Sequence, residues 1–192
     1  MSKYGAKYGR WAEFAAAEPA AAAPSYKASM SLGPLNKAAD SPTLASAALY
    51  GDDVLRHSRD MFSRGTLTYT STNLPTDTAV AIYGAKKADS GDEVTYGLDT
   101  APYGGVAFYC ELDDENTGKT IYRGVFYPKC KAVPSGDEFN SIGDSLVFTT
   151  DAINFTVFLR NVGGWKLTED FDTEAEAIEW VDTKLPKTVA GG

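Results

Sequence analysis

Nucleophilic or metal chemistry in this chain would have to rest on one histidine, His57, and two cysteines, Cys110 and Cys130. A zinc site needs three or four nitrogen or sulfur ligands, commonly in closely spaced pairs. One histidine cannot make a two-histidine set, and the cysteines lack ligand spacing, so His57 reads as a solvated loop residue. Two acidic runs, Asp52-Asp53 and Asp113-Asp114-Glu115, offer oxygen ligands. Neither has the every-second-residue spacing of a calcium loop. The chain also has no phosphate-cradling glycine loop and no Gly-x-Ser-x-Gly elbow. The expectation is a protein that is not an enzyme and uses no metal or cofactor.

What remains is surface chemistry. Tyr4, Tyr8, Trp11 and Phe14 crowd one chain end, where a monomer has little means of burying them. Aromatic side chains so placed favour docking on another subunit; the competing reading packs the segment on its own domain.

Composition narrows the classes further. The net charge is −8 over 192 residues and the pI is near 4.7, which opposes gripping nucleic-acid phosphates. No apolar run approaches the ~20 residues of a membrane helix, and Met1-Ser2-Lys3-Tyr4-Gly5 has no apolar signal core. In a cytosol the cysteines are expected as free thiols. Of the 43% hydrophobic residues, 26 positions are alanine, whereas Leu, Ile, Val and Phe together number 38. Eleven Tyr and three Trp offset that thin aliphatic content, because large rings bury much area each.

These residues must be positioned by elements. Residues 1–25 read as an N-terminal arm, since Ala15 to Pro24 is low-complexity and interrupted by Pro19 and Pro24. Residues 26–192 read as one domain, with a long extended loop at about 39–63. Thr66, Thr68 and Thr70 alternate with Leu67 and Tyr69, a half-buried strand. A short helix is expected at Thr76–Tyr83, capped by Thr76 or Asp77. A hairpin follows, with Val106, Phe108, Cys110 and Leu112 on one face and Tyr122, Phe126 and Cys130 on the same face of the return strand. Pairing Leu112 with Thr120 sets Cys110 opposite Tyr122, and the thiols are then roughly 26 Å apart at ~3.3 Å per residue, beyond disulfide reach.

Asp144 to Arg160 is a further β run, whose apolar phase switches from Leu146 and Phe148 to Ile153, Phe155, Val157 and Leu159. A bulge near Thr150-Asp151 would reconcile the phases. Trp165-Lys166-Leu167 begins another strand after Gly163-Gly164. Asp172-Thr173-Glu174-Ala175-Glu176 carries a capping box, Ile178, Val181 and Leu185 form a stripe, and Pro186 closes a helix at about 172–185. Strands in series with a closing helix make a mostly-β (α+β) fold of two packed antiparallel sheets.

Four blocks, in order, resemble one family. They are Lys3-Tyr4-Gly5-Ala6-Lys7-Tyr8-Gly9-Arg10-Trp11-Ala12, Ala47-Ala48-Leu49-Tyr50-Gly51-Asp52-Asp53-Val54-Leu55, Ala101-Pro102-Tyr103-Gly104-Gly105-Val106-Ala107-Phe108-Tyr109, and Phe171-Asp172-Thr173-Glu174-Ala175-Glu176-Ala177-Ile178-Glu179-Trp180. Together they are similar to the major tail (tube) proteins of long, non-contractile-tailed bacteriophages. Gly9, where proline is expected, and the Ala-rich stretch after Phe14 depart from that pattern.

The resemblance implies a structural role in the virion tail, assembled in the host cytoplasm. Subunits of this family form hexameric rings that stack into a hollow conduit for the genome. Implied partners are other copies of itself, a tape-measure protein, tail-tip initiator and terminator proteins, and passing DNA that is not held tightly. It implies a ring interface among Tyr4, Tyr8, Trp11, Phe14, Leu49, Tyr50, Asp52, Asp53 and Leu55. Glu111 and Asp113 are candidate acids facing the conduit, since an acidic lining would keep phosphates sliding. Two alternatives stay open: a monomeric β-sandwich decoration module, and a tube protein of a contractile tail or secretion apparatus.

Overall fold

Alternating apolar residues and turn-forming breaks produce a chain dominated by strands in the computed structural model, which describes residues 2–88, 93–97, 100–114, 118–134, 136 and 150–187. In order these are β1 (Ser2–Glu13), β2 (Met30–Ser31), β3 (Leu35–Gly51), β4 (Val54–Ser71), α1 (Thr76–Tyr83), β5 (Lys86–Lys87) and β6 (Val94–Thr95). There follow β7 (Tyr103–Asp113), β8 (Thr120–Val133), β9 (Asp151–Val157), β10 (Leu167–Phe171) and α2 (Glu174–Lys184). The fold is mostly β, with two antiparallel sheets and a C-terminal helix. The large sheet runs β2-β1-β7-β8-β9-β4-β3, with β10 also on β8, and β5–β6 form a separate ribbon.

Strand β8 joins two layers of the large sheet. Tyr122–Phe126 pairs with β10, and Cys130–Val133 pairs with β9 on the same side of the strand. Between them sits Pro128, which has no N–H to donate, and opposite it β7 slips register between Gly104 and Val106. There the sheet bends, and β4–β9 face β1–β7–β8 across a core that includes Trp11, Leu67, Tyr69, Phe108, Tyr127 and Phe155. The layers touch closely at Gly9: a Cβ there would lie 1.8 Å from the Tyr69 hydroxyl, which donates to the Gly33 carbonyl at 3.1 Å.

The hairpin register differs from the sequence expectation by one residue. Leu112 pairs with Ile121 and Cys110 with Arg123. A one-residue slip moves every side chain on one strand to the other face. Val125 and Tyr127 therefore join Phe108 in the main core, while Phe126 joins Ala107 on the outer face, beneath α2. Tyr122, opposite Glu111, goes with it. The slip at Gly104/Val106 brings Cys130 back into the main core. Both cysteines are buried and free.

Helix α2 starts at a complete capping box, Thr173 with Glu176, that satisfies orphan N–H groups. It buries Ala177, Trp180, Val181 and Leu185, while Ile178 is only half-buried. The stripe is rotated because Gly124 leaves room for the Trp180 ring: a Cβ there would be 2.5 Å from it. Helix α1 has the expected bounds, but Pro75 is its N-cap and no side chain caps it. Strand β9 keeps Ile153, Phe155 and Val157 inward, and Leu159 lies past its end, 49% exposed. Leu146 and Phe148 lie outside the described residues, so the phase change does too. Among the described residues no helix is long and apolar enough to cross a membrane.

Candidate assembly interface

The segment expected as an extended loop at about 39–63 is instead laddered backbone. Strands β3 and β4 pair from Leu35↔Ser71 out to Gly51↔Val54. Asp52 and Asp53 close the hairpin with φ of 54° and 60°, the left-handed pair of a two-residue turn whose twist matches the strands. Ala is the commonest residue of β3, with Ser, Pro, Asn and Asp interspersed, and these residues carry little strand signal of their own, so the pairing was not visible locally. The Gly51-Asp52-Asp53 turn was the one available cue.

Strand β4 finds a second neighbour, β9, only over Gly65–Ser71. Beyond Gly65 the hairpin is a two-stranded ribbon whose eleven residues from Val54 to Arg64 reach roughly 36 Å at ~3.3 Å each. Its residues from Asp52 to Met61, and from Ala39 to Tyr50, are all exposed. These include Leu44, Leu49, Tyr50, Val54, Leu55 and Met61, each at least half exposed. An isolated two-stranded ribbon is marginal in water. Tyr50 and Leu55 stand directly opposite each other next to the turn. At the tip, Arg56 pairs with Asp52 at 3.1 Å, an exposed contact of little energetic weight. His57 is exposed and faces Leu49 across the ladder.

The ribbon is anchored at its base. Phe62 stacks flat on Trp165, with ring centroids 4.7 Å apart. Lys166 bonds Asp40 at 2.8 Å and lies over the Tyr127 ring. These contacts fix the direction in which the hairpin leaves the body, so it is a directed projection rather than a loose loop.

The N-terminal aromatics have a different placement. The expected arm is strand β1, hydrogen-bonded between β2 and β7. Trp11 is 2% exposed in the chain's own core, which corrects its assignment as an interface residue. Tyr8, at φ 60°, is half-buried and its hydroxyl donates to Asp182 at 2.9 Å. Phe14 packs edge-on against Tyr26. Of the four, Tyr4 alone is exposed (44%), and its hydroxyl donates to Asp113 at 3.0 Å. The ring-interface set therefore divides: Leu49, Tyr50, Asp52, Asp53 and Leu55 gather at the hairpin tip, far from the strand that holds Tyr4, Tyr8 and Trp11.

The two candidate acids are not equivalent. Asp113 is exposed. Glu111 keeps only 16% of its side-chain exposure and is bonded to Lys7 at 2.7 Å, which also raises the Lys7 pKa. Glu111 thus contributes little free negative charge to a surface. On the same end, Arg123 holds Asp170 with two bonds of 2.5 and 2.6 Å, and that hydrogen bonding keeps the Asp170 carboxyl below the usual range. Among the described residues no three His, Cys, Asp or Glu side chains gather where they could hold a metal ion.

No protein-family model matches the chain, and no curated protein matches it.

Proposed function

We propose that this protein is a structural subunit of a virion tail tube, of the kind built by long, non-contractile-tailed bacteriophages. Copies of the chain close into hexameric rings, and the rings stack into a conduit that carries the genome into the host. The projecting β3–β4 hairpin carries the reading. It is a ribbon of roughly 36 Å with apolar side chains on its outer half and no further strand paired to it among the described residues. An element so costly to leave in water is explained by a partner that covers it, and stacked copies supply one in every ring. The four sequence blocks support the same reading, since the second of them is the hairpin tip. Partners on this reading are further copies, a tape-measure protein, and the initiator and terminator proteins at the tube ends; DNA passes without being held, in keeping with the net charge of −8.

One observation favours a second reading. The burial of Trp11 inside its own domain is what a monomeric decoration module would show. The two part company on assembly. Negative-stain electron microscopy with light scattering, across a concentration series, should reveal hollow rings or tubes. A 20.6 kDa monomer at every concentration, unchanged by added tail tips, would refute the tube.

A further inference from the structure

Two buried side-chain nitrogens lack a hydrogen-bond partner among the described residues, Trp180 Nε1 and Arg160 Nε. Arg160 lines a cleft of about 470 Å³, beside Lys184 at the last turn of α2, between walls formed by Pro24, Tyr26, Phe126 and Leu167. Burying a guanidinium nitrogen without an acceptor is costly, and a planar donor fork in an apolar cleft suits a carboxylate. The chain shapes this seat: Gly163, at φ 97°, lies under the guanidinium, and a Cβ there would be 2.2 Å from Nη2. The acid on the neighbouring segment is committed elsewhere. Glu18 gives one oxygen to Lys129 at 2.6 Å and the other to the Asn161 amide at 2.7 Å.

An acidic knob exists on the same molecule but cannot turn back. The hairpin turn offers Asp53, flanked by exposed Tyr50 and Leu55, and Asp52, whose side chain is 91% exposed even while it pairs with Arg56. The stacked base of the ribbon holds that knob away from the body. Carboxylates framed by an aromatic and an aliphatic side chain complement a cleft with two cations and apolar walls. Resting on the assembly proposed above, we infer that the Arg160–Lys184 cleft receives the Asp52-Asp53 turn of a second copy. Arg160 binds a carboxylate through the part of its guanidinium that lines the cleft, Lys184 adds a second positive charge, and Tyr50 or Leu55 covers the apolar wall.

The test mixes full-length chains of two isotopic compositions and treats them with a carbodiimide, which joins a carboxylate to an amine in direct contact. A mixed-isotope link between Asp52 or Asp53 and Lys184 is the expected result. In parallel, Arg160→Glu should weaken self-association at least about tenfold, and adding Asp53→Arg should recover most of it. Unfolding midpoints check that each variant is folded; the wild-type cross-link does not depend on them. If the wild type assembles but Lys184 links to another carboxylate, or Arg160→Glu assembles as before, the cleft is not the receptor and the tube reading stands. A wild type that stays monomeric at every concentration and with added tail tips overturns both.

Discussion

Replacing Trp11 by alanine should lower the stability of the isolated chain by about 3–5 kcal/mol, the range for deleting a buried tryptophan or phenylalanine. The upper half of that range is expected here. Trp11 is 2% exposed, and its ring lies so close to Gly104 that a Cβ there would sit 2.7 Å from Nε1. Strand β1 is held by its ladder to β7, so the backbone cannot collapse into the space left behind. For a domain of this size the loss corresponds to a fall of roughly 6–20 °C in Tm. The assay is urea unfolding at a concentration where the chain does not associate, which separates folding from assembly. Tyr50→Ala and Leu55→Ala provide the contrast. Both side chains are at least half exposed on the ribbon, so monomer stability should move by no more than about 0.5 kcal/mol, while ring formation falls. If Trp11→Ala instead leaves the urea midpoint unchanged and abolishes assembly, Trp11 is a docking residue and the core placement is wrong.

Other perturbations follow from single contacts. Asp170 has a depressed pKa because Arg123 holds it, so its contribution is present above the unfolded value of ~3.9 and disappears as pH falls through the lower folded value. The urea-midpoint gap between wild type and Asp170→Asn should thus be constant from pH 7 to about pH 5 and close below it; a gap that persists at pH 2 contradicts this. Gly124→Ala drives a methyl against the Trp180 ring and should cost about 1–3 kcal/mol, partly relieved by adding Trp180→Leu in thermal unfolding. Thr173→Ala removes the capping box of α2, and calorimetry should register a loss of about 1 kcal/mol.

How much of this was legible depends on how local each signal is. The start of α2 is written within four residues, Thr173 to Glu176, because a capping box is closed by neighbours in sequence. The bounds of α1 follow from Pro75 and from Gly84, which ends the helix at φ 67°. Strand β9 is legible from its odd-numbered apolar residues. The pairing of Cys110 is not, since the β7–β8 turn admits two registers that differ by one residue. Only packing settles between them: the observed one sends Tyr127 to the main core and Phe126 under α2. Trp11 follows the same rule, since whether an aromatic near a chain end is buried depends on strands more than ninety residues away, as its partner Val106 shows.

The sequence by itself determined that the chain is a mostly-β protein with a closing helix, because alternation, turn residues and caps act over a few residues. The Gly51-Asp52-Asp53 turn is written in the sequence too, but the exposure of Tyr50, Val54 and Leu55 beside it is a property of the folded chain. Tertiary structure alone decided that residues 35–71 form one hairpin whose part beyond Gly65 projects as a ribbon, and that Ser2–Glu13 is a core strand. It also decided that Glu111 is neutralised by Lys7 while Arg160 keeps a buried nitrogen without a partner among the described residues. Each of these depends on which distant backbone supplies a hydrogen-bonding edge or a counter-charge, and Ala- and Ser-rich strands take their order from that partner rather than from their own side chains.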